Sequence, residues 1–308
     1  MKSPFADANA TLHIEQQMAE FRKETFTYMH LNYVCDATGL AFTTQQLDEV
    51  NLAQVHNQYR IAHNIPFADE IQNLRARYGL SAAKMSAILG LGANQYRLYE
   101  MGEMPSVSNG RLLRSIENPA VFMEMLDDET RSKIKLANTK PAFKNCLRGK
   151  DNGFAPQSYE RLKNILLYLA EQVEATYITK MNKLLFYVDF LNYNHTGMAM
   201  TGLAYRALPY GIVPDNFLGV FGSYHDEIEP VDAPTAQHDG IILRPKMQAD
   251  LSMFSEQEKE TLRLVVARFK DTKPSEISEI NHQEDAWLQF KGTQKPVDFD
   301  MAFSLKAI

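Results

Sequence analysis

Apolar residues recur along this chain with two different periods. Over residues 25–35 the order Thr-Phe-Thr-Tyr-Met-His, then Leu-Asn-Tyr-Val-Cys, alternates loosely and predicts strand material, as one strand or a pair, with helical character setting in near Thr44. A helix over 69–78 then leads into Leu80, Met85, Leu89 and Leu91, an apolar seam at helical spacing that Ser81 can cap and Gly90 can end with a tight turn. The next helix runs over 93–101, burying Tyr96 and Tyr99 and stopping at Gly102, and another covers 109–116. Asn118 as cap and Pro119 at the first helical position open a helix over 119–126 with Val121, Phe122, Met125 and Leu126 apolar. That helix either closes the local core or packs against a twofold partner. Breakers mixed with lysines over 140–156, among them Pro141, Gly149, Gly153 and Pro156, mark a boundary. Beyond it Leu162, Leu166, Leu169 and Val173 form one helical stripe, and Met181, Leu184, Leu185, Val188 and Leu191 another. A strand over 201–208 enters the turn-rich 209–214, a short strand follows at 241–244, and Ser255 with Glu258 forms a capping box for a helix carrying Leu262, Val265, Val266 and Phe269, with a further helix from Ser275. The fold class expected is multidomain, mainly α with small β elements (α+β): a β-hairpin ribbon over 1–62, an all-α helix-turn-helix domain over 63–130, a linker over 131–156, and an α+β domain over 157–308.

Two short helices joined by a glycine turn are the shape that places a helix in the major groove of DNA. Asn94, Gln95 and Arg97 face outward on the second helix, with Lys84 and Ala93 beside them. Asn and Gln can bond bidentately to adenine and Arg to guanine, each good pair giving about 1–3 kcal/mol of base discrimination. The segment 80–106 resembles a helix-turn-helix of the phage-repressor (Cro-repressor, or XRE) type, in the variant found in MqsA-like antitoxins, through Asn94 and the Tyr99-Glu100 pair. It departs from the pattern at Ala82, where repressors usually carry Gln, and at Leu98, where Arg is frequent. The N-terminal segment resembles the YgiT-type zinc ribbon of the same antitoxins, in which two CxxC pairs hold a metal. Here the pairs read Ser3-Pro4-Phe5-Ala6 and Cys35-Asp36-Ala37-Thr38. A structural zinc needs four N, S or O donors, so the ribbon is expected to be degenerate and metal-free, held by its strands.

With 308 residues, 45% hydrophobic and 23% charged, the chain is long enough for two or three cores. No run is apolar and long enough to span a bilayer, and the N-terminus has no apolar leader region, so a cytoplasmic location is expected. Cys35 and Cys146 are too few for a disulfide framework. The formal charge of −6 argues against nucleic acid bound along the whole surface, so DNA contact has to be local. Over 60–118 the balance is indeed positive, Arg60, Arg75, Arg77, Lys84, Arg97, Arg111 and Arg114 standing against Asp69, Glu70, Glu100, Glu103 and Glu117. The basic run Lys133, Lys135, Lys140, Lys144, Arg148 and Lys150 reads as a solvated connector that could also touch phosphates.

The segment 178–217 carries Lys183-Leu184-Leu185-Phe186-Tyr187 with Asp189, then Thr196-Gly197, Thr201-Gly202 with Tyr205, and Gly211 with Val213-Pro214; the ending carries His282, Glu284 and Trp287. In this order the motifs resemble the Panacea, or SocA-like antitoxin, domain over roughly 157–289, with Ile212 departing where the turn usually has Pro. The resemblance implies a protein that binds and silences a co-encoded toxin. Among the residues of this motif, Lys183, Tyr187, Asp189, Thr201, Gly202, Tyr205, Gly211, His282 and Trp287 read as structural, since buried tyrosines need hydrogen-bond partners and the glycines suit turns. A toxin-facing surface is expected from exposed aromatics such as Tyr193, Tyr210, Phe217 and Phe221, because interface anchors are enriched in aromatic residues.

Catalytic signatures fail one by one. Gly90-Leu91-Gly92 follows a helix rather than a strand, Ser223 lacks the second glycine of a nucleophile elbow, and the eight histidines form no metal-binding pair. The expectation is a non-enzymatic antitoxin without cofactors that represses its own operon as a homodimer on double-stranded operator DNA and caps a cognate toxin, with no membrane partner. The alternative is a phage or mobile-element regulator with no toxin partner; an enzyme acting through the C-terminal domain is the reading from a third class.

Overall fold

The computed structural model describes residues 1–134, 148–173, 176–233 and 240–308. Of the connector expected over 131–156, Lys135, Lys140, Lys144 and Cys146 lie outside the described residues. Two long strands, β1 (Ala10–Phe21) and β2 (Glu24–Cys35), are joined at Arg22 and Lys23, whose φ angles are 50° and 68°. A two-residue connection makes the pair an antiparallel hairpin, and two positive φ values give the turn whose twist matches the strands. The segment 25–35 is thus one strand, and its partner is a stretch whose side chains are mostly exposed and whose apolar alternation is faint. β3 (Ala41–Phe42) pairs antiparallel with Tyr33 and Val34 of β2. Further along β2 the side chains of α1 (Gln45–Ala62) take over: Asn51 and Gln54 each exchange two hydrogen bonds of 2.9 Å with the backbone of Leu31 and Met29. A side-chain amide carries both a donor and acceptor, so it can stand in for a neighbouring strand.

The chain forms two compact units: one gathers Met1–Ala19, Thr27–Gln54 and Ala142–Ile308, the other Glu20–Phe26 and Val55–Pro141. The ribbon expected as a domain of its own over 1–62 is instead shared between them. Its strands bury too little apolar surface for a separate core, with Ala10, Leu31 and Cys35 the apolar side chains of β1 and β2 that are fully covered.

Apart from the hairpin tip over Glu20–Phe26, the described residues of the second unit carry helices and no strand. It contains α2 (Ala68–Tyr78), α3 (Ala82–Ile88), α4 (Gln95–Glu100), α5 (Val107–Ser115), α6 (Pro119–Glu124) and α7 (Asp128–Lys133). Ser81, Ser106, Asn118 and Asp127 cap their helices with side-chain oxygens, which fixes where each begins. One core joins Ile71, Leu74 and Tyr78 to Met85, Tyr96, Tyr99, Leu113 and Phe122. The helix after Pro119 contributes to this core, with Phe122 fully buried, while Met125 is exposed. α7 was not expected and occupies the start of the supposed linker.

In the other unit α8 (Tyr159–Gln172) and α9 (Ile178–Thr196) precede a hairpin of β4 (Tyr205–Leu208) and β5 (Gly211–Pro214), then α10 (Phe217–Gly222) and a second hairpin of β6 (Ile228–Asp232) and β7 (Ile241–Pro245). Both hairpins are antiparallel, Leu208 facing Gly211 and Glu229 facing Arg244. α11 (Glu256–Phe269), α12 (Pro274–Asn281), α13 (Asp285–Phe290) and a 3-10 turn over Phe299–Ser304 complete it. Every residue of α9 from Lys180 to Tyr193 is buried, because α8, α11, α12, β5 and the closing turn surround it. The strand expected over 201–208 starts only at Tyr205; the residues before it form a turn around a buried carboxylate. Among the described residues no helix is long and apolar enough to cross a membrane.

Candidate functional site

The expected DNA reader is α4. Asn94 adopts φ 63°, and the Ser86 hydroxyl of α3 accepts from the Tyr96 amide at 3.0 Å, so the helix starts at Gln95 rather than Ala93. Met101 is the C-terminal cap and Gly102 follows it at φ 105°, so the helix ends at Glu100. Tyr96 donates to the carbonyl of Ile71 at 2.9 Å, and the hydroxyl of Tyr99 accepts from Asn109 at 2.8 Å. These two anchors fix the rotation of α4 and leave Ala93, Asn94, Arg97 and Leu98 facing solvent. The expected readers are unequal in freedom. Gln95 is half-buried and donates to Glu103 at 2.8 Å, and exposed Lys84 lies 3.7 Å from Asp127. The segment leaving α4 is pinned from the hairpin tip and α1, Arg22 donating to the carbonyls of Met104 and Pro105 and buried Arg60 to that of Gly102. Sequence reading missed both arginines as supports because each lies far along the chain from the helix it steadies.

At the base of the ribbon the hydroxyls of Ser3 and Thr38 are directed at the Cys35 sulfur and, by stabilising the thiolate, bring its pKa down to about 7. Three of the four zinc-ribbon positions thus meet. Two hydroxyls and one thiol are not a donor set that zinc takes.

The motif residues of the C-terminal half build two buried networks and one exception. Asp189, fully buried, accepts through Oδ1 from the amides of Met200 (2.7 Å) and Thr201 (2.8 Å), and through Oδ2 from the hydroxyls of Thr201 and Tyr205, the latter at 2.6 Å. Burial raises its pKa while these donors pull it down, and burial prevails. Gly202 has φ 72° and sits where a Cβ would lie 2.8 Å from the Pro156 carbonyl oxygen, so the turn that offers the Thr201 amide closes only with glycine. In the second network Tyr187 donates to Glu284 at 3.2 Å, and Glu284 also accepts from the amides of Lys306 and Ala307, tying the last residues to the core. Burial pushes the Glu284 carboxyl up and the Tyr187 hydroxyl well up. Asn281 accepts from the Ile212 amide at 2.6 Å; His282 packs on Trp287 at 4.2 Å between ring centres, and Trp287 donates to the carbonyl of Leu208 at 2.9 Å. Gly211, at φ 107°, leaves room for the Lys183 chain, whose Cε lies 2.8 Å from where a Cβ would stand. The exception is Lys183 itself. Only 1% exposed, its ammonium has no hydrogen-bond or ion-pair partner among the described residues, and burial lowers its pKa to about 8.

Of the aromatics expected at a toxin-facing surface, Tyr193 is not available. It is 3% exposed and packed on Phe299 and Phe303 of the closing 3-10 turn. Tyr210, at the tip of the β4–β5 hairpin, is 81% exposed, and Phe217 and Phe221 lie half-buried on α10 with ring centres 6.4 Å apart. Exposed Leu208 and Leu218 stand near them; isolated leucines in a sequence give no hint of exposure.

Residues 181–288 match the family model described as Antitoxin SocA-like, Panacea domain. The matched stretch runs from α9 through α13 and contains the Asp189 network, the Tyr187–Glu284 pair of the second network, the exposed hairpin tip and α10. It supports an antitoxin-like role for this part of the chain, with a protein such as a toxin as partner. No curated protein matches the chain.

Proposed function

We propose that the protein is an antitoxin that neutralises a co-encoded toxin by direct binding through its C-terminal half and represses its own operon through α4. The observation that carries the first part is the family match over 181–288, the stretch that folds around α9. The second part is supported by the geometry of α3 and α4, which are short, joined at Gly90 with φ 64°, and leave Asn94 and Arg97 in solvent. Binding as a homodimer to a palindrome fits such a reader, because twofold half-sites about one helical turn apart match a twofold protein. On this reading the protein acts in the cytoplasm, needs no cofactor and performs no chemistry. The Asp189 and Glu284 carboxyls are engaged by several donors each, which suits scaffolding rather than proton transfer.

Coexpression with the adjacent open reading frame tests the first part: growth that collapses with that frame alone and recovers with this chain supports neutralisation, and no recovery refutes it. For the second part, Asn94→Ala combined with Arg97→Ala should weaken operator binding by about 1–3 kcal/mol per lost base contact. Unchanged affinity and salt dependence would remove α4 as the reader. A regulator lacking any toxin partner is the second reading, favoured if the neighbouring frames are harmless while operator binding holds.

A further inference from the structure

We propose that the groove between the β4–β5 hairpin and α10 receives a single aromatic or long aliphatic side chain of the toxin, presented on a basic segment. This rests on the antitoxin reading above and adds the place and chemistry of the contact. The groove has a volume of about 140 Å³, with Val213 and Pro214 among its lining residues together with Leu208 of β4 and Phe217 and Leu218 of α10. The groove is open on one side and carries Arg206, Asp215 and Asn216 beside its apolar residues, and its size suits one inserted side chain of a partner protein.

Among the described residues, α10 is an apolar helix left poorly covered. Its sequence is Phe-Leu-Gly-Val-Phe-Gly, yet none of its residues is fully buried, and Leu218 is 66% exposed. Leu208, 41% exposed, lines the same groove from the hairpin, whose tip carries Tyr210 at 81%. Apolar side chains gathered in the open mark binding surfaces more often than chance exposure does.

Charge selects the occupant. Arg206 at the groove is spoken for, paired with Asp215 at 3.0 Å and donating to the Gln294 carbonyl. α10 then leads into a segment with Asp226, Glu227, Glu229 and Asp232, of which Glu227 accepts from Tyr159 and Glu229 faces Arg244 across the ladder. Over 205–232 five carboxylates stand against Arg206, and with Arg244 opposite Glu229 and Lys246 donating to the His225 carbonyl the strip still keeps two more carboxylates than cations, which favours a cationic partner over an acidic one.

The test uses the full chain and the toxin encoded by the adjacent frame, measuring affinity at two salt concentrations. Leu208→Ala with Leu218→Ala should weaken binding on the order of 30-fold or more, as loss of a central anchor pocket does, with the melting temperature held. Glu229→Lys with Asp232→Lys should slow association and flatten its salt dependence. Leu264→Ala, an exposed position on α11, is the control and should change nothing. If the unaltered chain binds and rescues growth but both double variants bind as tightly as it does, the groove is not the contact and the antitoxin reading stands. A change confined to self-association would assign the groove to a second copy of the chain and overturn the proposal. If the unaltered chain neither binds nor rescues, the antitoxin reading fails and this inference falls with it.

Discussion

Lys183→Met should make the C-terminal unit more stable, which is the reverse of the usual effect of altering a buried residue. The ammonium is 1% exposed, faces no partner among the described residues, and has its pKa lowered from 10.5 to about 8 by burial. Below about pH 8 the folded and unfolded chains both carry the proton, and the full penalty of burying the charge is present. Between about 8 and 10.5 the unfolded chain still holds a proton that the folded chain has released, so stability rises with pH and the penalty fades. A shift of about 2.5 units corresponds to roughly 3 kcal/mol. Methionine has a similar shape without the charge, so the variant should gain up to about 3 kcal/mol at pH 7 and under about 1 kcal/mol at pH 10. Urea unfolding followed by tryptophan fluorescence reads the right unit, since Trp287 is the single tryptophan and its indole N–H is tied to the carbonyl of Leu208 on β4. A variant that is destabilised equally at both pH values would show that the ammonium is held favourably and that the reasoning is wrong.

Three further outcomes are expected. Tyr205→Phe removes one hydroxyl from the buried Asp189 carboxyl and should cost about 1–3 kcal/mol in the same urea assay; no loss would mean Asp189 is satisfied without it. Gly211→Ala forces a φ of 107° on an L side chain and brings its Cβ against Lys183 and Asn281, with an expected cost of about 1–3 kcal/mol, and a neutral result would show that the hairpin turn relaxes freely. Ser86→Ala deletes the cap on the Tyr96 amide and should speed hydrogen exchange at the start of α4 by about tenfold while leaving Trp287 fluorescence unchanged; equal exchange would mean α4 is held by its tyrosines alone.

Elements with a local signal were legible in the sequence. Ser81, Asn118 and Ser255 each cap a helix at the position expected, and Gly90 makes the turn between α3 and α4. β1 was not legible, because its stability comes from pairing with β2 while Leu12 and Met18 point into solvent. Of the polar contents of α9, Lys183 and Asp189 were read as structural from the motif, while the burial of Lys180, Asn182 and Asn192 was hidden for the opposite reason. A helix wrapped on all sides buries Lys180, Asn182, Lys183, Asp189 and Asn192 along with its apolar stripe, and only distant segments supply their surroundings. Tyr193 was misplaced on the surface by the same blindness: its local sequence is polar, but Phe299 and Phe303, more than a hundred residues on, cover it. The exposed apolar character of α10 depends likewise on which segments fail to reach it.

Neutralisation by occupancy rather than by reaction makes a quantitative claim that a titration can test. Purified chain added to a fixed amount of the toxin from the adjacent frame should abolish toxin activity with a sharp end point at a constant molar ratio. The toxin should recover fully when the complex is separated under denaturing conditions and refolded. Activity lost at far less than one chain per toxin, or unaffected by excess chain, would contradict the account.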